Sequence, residues 1–135
     1  VPQRVPAALS LHLHRARGGA RVKIDSYQFG RITIDGHPYA NDIIIFPDNR
    51  VQDGWWRRHG HHLRVEDIEN LVEEAPQIII AGTGAYGRMT IDAAVERLLR
   101  SKKIELVAEP TPKAVDVFNQ LVGQRRIGAG FHLTC

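Results

Sequence analysis

The chain has 135 residues, 43% of them hydrophobic and 24% charged, with a formal net charge of +3; this is enough for one packed core and too apolar for disorder. Its single cysteine, Cys135, excludes an intrachain disulfide and fits a reducing compartment, so a cytoplasmic location is expected. No apolar run approaches the roughly 18 residues of a membrane span, and no basic stripe interleaved with aromatics marks a nucleic-acid surface, so neither membrane insertion nor nucleic-acid binding is expected.

Residues 1–21 carry Arg4, Arg15, Arg17 and Arg21 and no acid, with Pro2, Pro6, Gly18 and Gly19 interrupting any amphipathic helix. They read as a flexible basic arm ahead of a single domain over residues 22–135. Ile32 and Ile34 alternate with Arg31 and Thr33, the period of a half-buried strand. Asp35-Gly36 supplies the positive φ angles of a tight hairpin. Pro38 places the returning strand at an edge, because proline cannot donate to a ladder. Residues 43–46 (Ile-Ile-Ile-Phe) are an apolar strand, residues 47–49 a turn, and residues 51–56 the next strand.

The period then changes. Val65, Ile68, Val72 and Ala75 fall at helical spacing, with Glu66 and Asp67 in the first turn and Pro76 as the stop. Residues 77–81 read as a buried strand. Thr90 is the N-cap of a helix whose apolar stripe is Ile91, Ala94, Val95, Leu98 and Leu99. Residues 104–107 form another buried strand. Thr111-Pro112 is a cap followed by proline at the first helical position; Ala114, Val115, Phe118, Leu121 and Val122 face the core, and Gly123 closes the helix. The last strand runs from Arg126 to about Leu133. This alternation with short connections requires parallel strands with helices on both faces of the sheet, an α/β fold.

Gly82, Thr83, Gly84, Ala85, Tyr86 and Gly87 form a G-x-G-x-x-G after a strand and before a helix, with Glu109 at the end of the following strand. Such glycines let backbone N–H groups approach a pyrophosphate at a helix N-terminus. Against a dinucleotide, the cap signal Thr90 comes three residues after the last glycine, and too little chain remains for a second mononucleotide half. A smaller anion, or a purely structural turn, fits the same residues.

The run Trp55-Trp56-Arg57-Arg58-His59-Gly60-His61-His62 is the densest polar-aromatic stretch. Its histidines lack a suitably spaced carboxylate or cysteine, and adjacent His61 and His62 splay apart in most backbone conformations, so no metal is expected. Trp56 and Arg58 are residue types enriched in protein interfaces. No catalytic residues are assigned. Cys135 and His132 would point to opposite sides of a regular strand, no serine stands in a nucleophile elbow, and nothing brings Asp42 together with Glu105 or Glu109.

The residues from Thr111 onward, with Ala114, Phe118-Asn119, Leu121, Arg126, Gly128 and a closing His132-Leu133-Thr134-Cys135, resemble one branch of a family of small domains of unknown function. So do residues 78–84 with Gly82-Thr83-Gly84, and Tyr39-x-x-Asp42 followed by a strand and Trp56. The family includes the animal adipogenesis-associated domain protein and the mitochondrial respiratory complex I assembly factor three, and the resemblance spans residues 22–135. It implies a three-layer α/β/α fold with a mixed central sheet and a small antiparallel β part in the N-terminal half. It also implies no accepted catalytic mechanism and, in the mitochondrial branch, a role in assembly. The expectation is therefore a non-enzymatic binding or assembly domain without cofactor, monomeric or homodimeric, holding a protein partner through Trp56, Arg58 and residues 82–87. The alternative is a small-molecule or nucleotide-binding protein with an anion on the loop amides.

Overall fold

The computed structural model describes Leu13–His14 and residues 22–135. The remainder of the predicted basic arm lies outside the described residues. Leu13–His14 forms β1, followed by a three-stranded antiparallel sheet of β2 (Ile24–Gln28), β3 (Arg31–Ile34) and β4 (His37–Tyr39). The β3–β4 hairpin turns on Asp35 and Gly36, at φ +49° and +79°, and Pro38 lies in β4, at the edge. Then come β5 (Ile43–Ile45), β6 (Val51–Asp53), β7 (His62–Leu63), α1 (Glu69–Glu73), β8 (Ile78–Thr83), β9 (Thr90–Ile91), α2 (Ala93–Ser101), β10 (Glu105–Glu109), α3 (Thr111–Leu121) and β11 (Ile127–His132).

The main sheet runs in the order β1-β6-β5-β11-β8-β10. Its β11-β8-β10 part is parallel and its β1-β6-β5-β11 part antiparallel, so the sheet is mixed. Alternation along the central strands divides the core into two faces. Ile43, Ile45, Ile78, Ile80, Ala129 and Phe131 point one way, against α3 and the small sheet. Ile44, Ile79 and Ala81 point the other way, against Trp55, α1 and α2. One outer layer is thus part helix and part β. The Asn119 side chain joins its halves, accepting from Ile24 N–H at 3.0 Å and donating to Ile24 C=O at 2.8 Å.

Several boundaries differ from the sequence expectation, each for a tertiary reason. The helix from Val65 is a 3-10 turn, Val65–Asp67, followed by the short α1. Ile68 between them takes φ −124°, outside helical range, and is almost wholly buried. Ala75 is exposed and left-handed at φ +53°, and Leu71 rather than Ala75 supplies the buried contact. Thr90 is not a cap: it pairs with His62 in a two-stranded parallel ladder, and Asp92 caps α2 by accepting from Ala94 N–H. The strand expected over 51–56 ends at Asp53, where Gly54 at φ +88° turns the chain. The strand expected to be buried at 104–107 is β10, at the sheet edge with Glu105 and Ala108 exposed. Thr111 is the first residue of α3 and fully buried, with Pro110 in the capping position.

Candidate functional site

Past Gly54 the two tryptophans part company. Trp55 folds beneath the chain onto β11 and is 5% exposed, whereas Trp56 is 78% exposed. The close packing needs glycine on the strand: a Cβ on Gly130 would lie 2.6 Å from the Trp55 ring. Trp55 also donates its indole N–H to Asp67 C=O at 3.0 Å, which ties it to the turn before α1. Trp56 stands between two open cavities. One, of about 360 Å³, also touches Asp42, Leu133 and Thr134. The other, of about 400 Å³, runs along Glu66, Glu69 and Glu73.

Asp42 holds this segment in place. Its backbone C=O accepts from Gly54 N–H and Trp55 N–H at 3.0 and 2.7 Å. Its carboxylate accepts from Leu133 N–H at 2.8 Å, Arg57 at 2.7 Å and His132 Nδ1 at 2.8 Å. Because a carboxylate cannot donate, His132 Nδ1 carries the proton. The 3.1 Å approach of Arg57 to that nitrogen therefore sets two donors side by side, both aimed at Asp42. Burial pushes the Asp42 carboxyl up; the bonds from His132, Leu133 and Arg57, with the charge of Arg57, outweigh it and leave the pKa below the usual carboxylate range. Arg57 also stacks over the Trp55 ring, 4.4 Å from its centroid, and donates to Gly60 C=O. His132 Nε2 is buried without a hydrogen-bond partner among the described residues, with the His61 ring edge-on at 5.6 Å. An acid-oriented imidazole is general-base chemistry in outline, but here the ring is 6% exposed.

The glycine run is divided between strand and turn. Gly82 and Thr83 complete β8, and the turn begins at Gly84. The ends of β8 and β10 lead to helices on opposite faces, the place where open α/β sheets commonly bind ligands. Here that crevice is stitched: Gly84 N–H donates to Thr111 Oγ1 and Thr111 N–H donates to Gly84 C=O, both at 2.9 Å. Ala85 N–H donates to Thr134 C=O, Gly87 N–H to Gly84 C=O and Arg88 N–H to Cys135 C=O. The residue at 84 must be glycine, since at φ +106° a Cβ would meet the backbone of Thr134 and Cys135 at 2.6 Å. An aspartate there would break this packing whether or not an anion binds.

With this geometry in view, the likeness to other proteins is specific. A family described as a protein of unknown function, DUF498/DUF598, matches residues 24–132. The chain belongs to the DUF498/DUF598 family. A conserved hypothetical protein from Pyrococcus horikoshii OT3 is 30% identical, with a TM-score of 0.73 over 84% of this chain and 99% of that one. A protein described as an outer membrane protein from Bartonella henselae is 24% identical, with a TM-score of 0.72 over 87% and 98%. A Bordetella pertussis protein described as a Mth938-like domain is 15% identical, with a TM-score of 0.57 over 98% and 91%. The latter two likenesses are of fold.

In this DUF498/DUF598 chain the residues singled out from sequence gather at one end of the sheet. Leu133 and Thr134 line the cavity beside Trp56, and Thr134 bonds the glycine turn, so residues 133–135 bridge the two predicted segments. Tyr86 (71% exposed) rises from the turn beside Phe29 (57%), their ring centroids 6.2 Å apart. Arg58 is exposed next to Trp56. The histidines go to separate partners, His62 Nδ1 to Thr90 Oγ1 and His61 to the edge of His132. Among the described residues no three His, Cys, Asp or Glu side chains gather as a metal site, and no helix is long and apolar enough to cross a membrane. Asp42 meets Arg57 and His132, not Glu105 or Glu109, which lie on the far edge strand. Arg57 went unmarked in the sequence. A buried arginine is legible only through its partner, and Asp42 is 15 residues away.

Proposed function

We propose that this DUF498/DUF598 chain is a non-enzymatic protein-binding domain of the cytoplasm that assists assembly of a larger complex, with Trp56 at the centre of its contact surface. One observation carries the reading. Trp56 is 78% exposed, yet the backbone beneath it is fixed by Asp42 and by the buried Trp55. A large aromatic presented on ordered backbone loses little entropy on binding, and central tryptophan and arginine contacts are worth about 2 kcal/mol or more each. Arg58, Tyr86 and Phe29 extend the exposed surface at the same end. The resemblance to the adipogenesis-associated and complex I assembly branches points towards a respiratory or membrane complex as the partner. The acid–histidine pair, Asp42 and His132, anchors backbone and arginine, which favours a binding role over catalysis. An anion on the glycine turn is the lesser reading, because the N–H groups of Gly84, Ala85, Gly87 and Arg88 already have protein acceptors.

Affinity capture from lysate, comparing the tagged chain with a Trp56→Ala/Arg58→Ala variant, tests this. Both changes are at the surface, so stability should stay within about 0.5 kcal/mol. Subunits of one complex should be recovered with the native chain and fall at least tenfold with the variant. Equal recovery with both would refute the proposal.

A further inference from the structure

We infer that the groove between Trp56 and α1 takes an extended basic segment of the partner protein. The inference rests on the docking surface proposed above and adds the chemistry of what docks. The groove is floored by Ile44 and Trp55, both buried, and walled at one end by the exposed Trp56 ring. Its other wall carries Glu66, Glu69 and Glu73, all exposed, and among the described residues no lysine or arginine lines it. Glu69 and Glu73 stand one helical turn apart on α1, so they project along one side. Glu66 reaches Arg64 only at 4.0 Å, with both side chains well exposed, an ion pair that contributes little.

Two features therefore act on one occupant. An indole face attracts a guanidinium or ammonium group, and the row of carboxylates, each repelled by its neighbours, gains from a cation beside it. The acids are concentrated here, since from residue 22 onward the chain carries only one more acid than base. Glu69 and Glu73, four residues apart in α1, are about 6 Å apart along its axis at 1.5 Å per residue. An extended peptide covers that span in roughly two residues, so the fitting segment has Arg or Lys side chains at alternate positions. A groove of this shape and charge suits a protein segment with an unpaired basic run.

The experiment uses the intact chain and a fluorescein-labelled nonapeptide of alternating arginine and glycine, followed by anisotropy. A glutamate–glycine nonapeptide serves as the opposite charge. The basic peptide should bind, and raising salt from about 50 to 500 mM should weaken it. Glu66→Gln/Glu69→Gln/Glu73→Gln and Trp56→Ala should each weaken it at least tenfold. Glu105→Gln/Glu109→Gln, on the edge strand β10, should leave it within twofold. The inference is overturned if the groove variants bind as well as the native chain, if the β10 variant loses as much, or if the acidic peptide binds better. Self-association abolished by the groove variant would overturn it in favour of a second copy of the chain. Capture that depends on Trp56 without basic-peptide binding would leave the docking surface standing and remove the basic partner; basic-peptide binding without capture would do the reverse.

Discussion

Asp42 is a single residue with consequences for three segments, reached through its backbone C=O as well as its carboxylate. It joins the start of β5, the Trp55 segment and the end of β11 through Leu133, and it neutralises Arg57, whose side chain is 3% exposed. Removing one partner of a buried ion pair leaves the other charge stranded, at a cost of about 3 kcal/mol or more. Asp42→Asn should show that loss by urea denaturation at neutral pH. The pH dependence follows from the lowered carboxyl pKa. The folded state binds this proton less readily than the unfolded chain, whose aspartate titrates at about 3.9. The stabilisation is therefore complete above about pH 4 and is lost as pH falls through the folded-state pKa. The gap in stability between native chain and variant should narrow from pH 7 to pH 3; a constant gap would count against the ion pair as its source. None of this was legible in sequence beyond the presence of an aspartate. Its partners Arg57 and His132 stand 15 and 90 residues away, and no local rule connects them.

At the scale of elements, the N-terminus of α3 shows how a correct sequence signal can conceal its use. Thr111-Pro112 does mark where the helix begins, but the threonine hydroxyl serves tertiary structure. It accepts from Gly84 N–H at 2.9 Å and donates to His132 C=O at 2.6 Å. Thr111→Val keeps the shape and removes both bonds, leaving a buried donor and acceptor unpaired, so it should destabilise by about 2 kcal/mol or more. Thr111→Ser, which keeps the hydroxyl, should lose much less. A chemical-denaturation midpoint for each variant decides it, and equal losses would mean the methyl, not the hydroxyl, matters. The same junction explains the glycine run. Its spacing resembles a phosphate loop, but Gly84 is set by the close passage of Thr134 and Cys135. Spacing alone cannot separate a backbone that makes room for a ligand from one that makes room for its own chain.

For the whole molecule, the central sheet separates two apolar bodies. Phe118 packs on the face shared by α3 and the small sheet, and Leu71 packs on the face shared with Trp55 and α2. Each is nearly or fully buried. Phe118→Ala should cost about 3–5 kcal/mol and Leu71→Ala about 2–5 kcal/mol. Since the sheet divides them and they belong to separate clusters, the losses should add within about 0.5 kcal/mol. A double variant that departs from the sum by more than about 1 kcal/mol would show the two bodies to be coupled through the sheet. The hydrophobic period places Phe118 inside but picks Val65, Ile68, Val72 and Ala75 rather than Leu71 on the other face, while the alternation of helix and strand requires parallel strands covered on both faces.

The sequence by itself determined what a few neighbouring residues can impose: the Asp35-Gly36 hairpin, the apolar run of β5, the buried stripe of α3 and the α/β alternation. Only the tertiary structure decided that β10 lies at an edge, that Trp55 is buried while Trp56 is 78% exposed, and that Asp42, Arg57 and His132 meet. The physical reason is range. Propensity, periodicity and turn chemistry act within about one or two turns of chain. Strand order and the pairing of buried charges are set by which distant surfaces come to face one another.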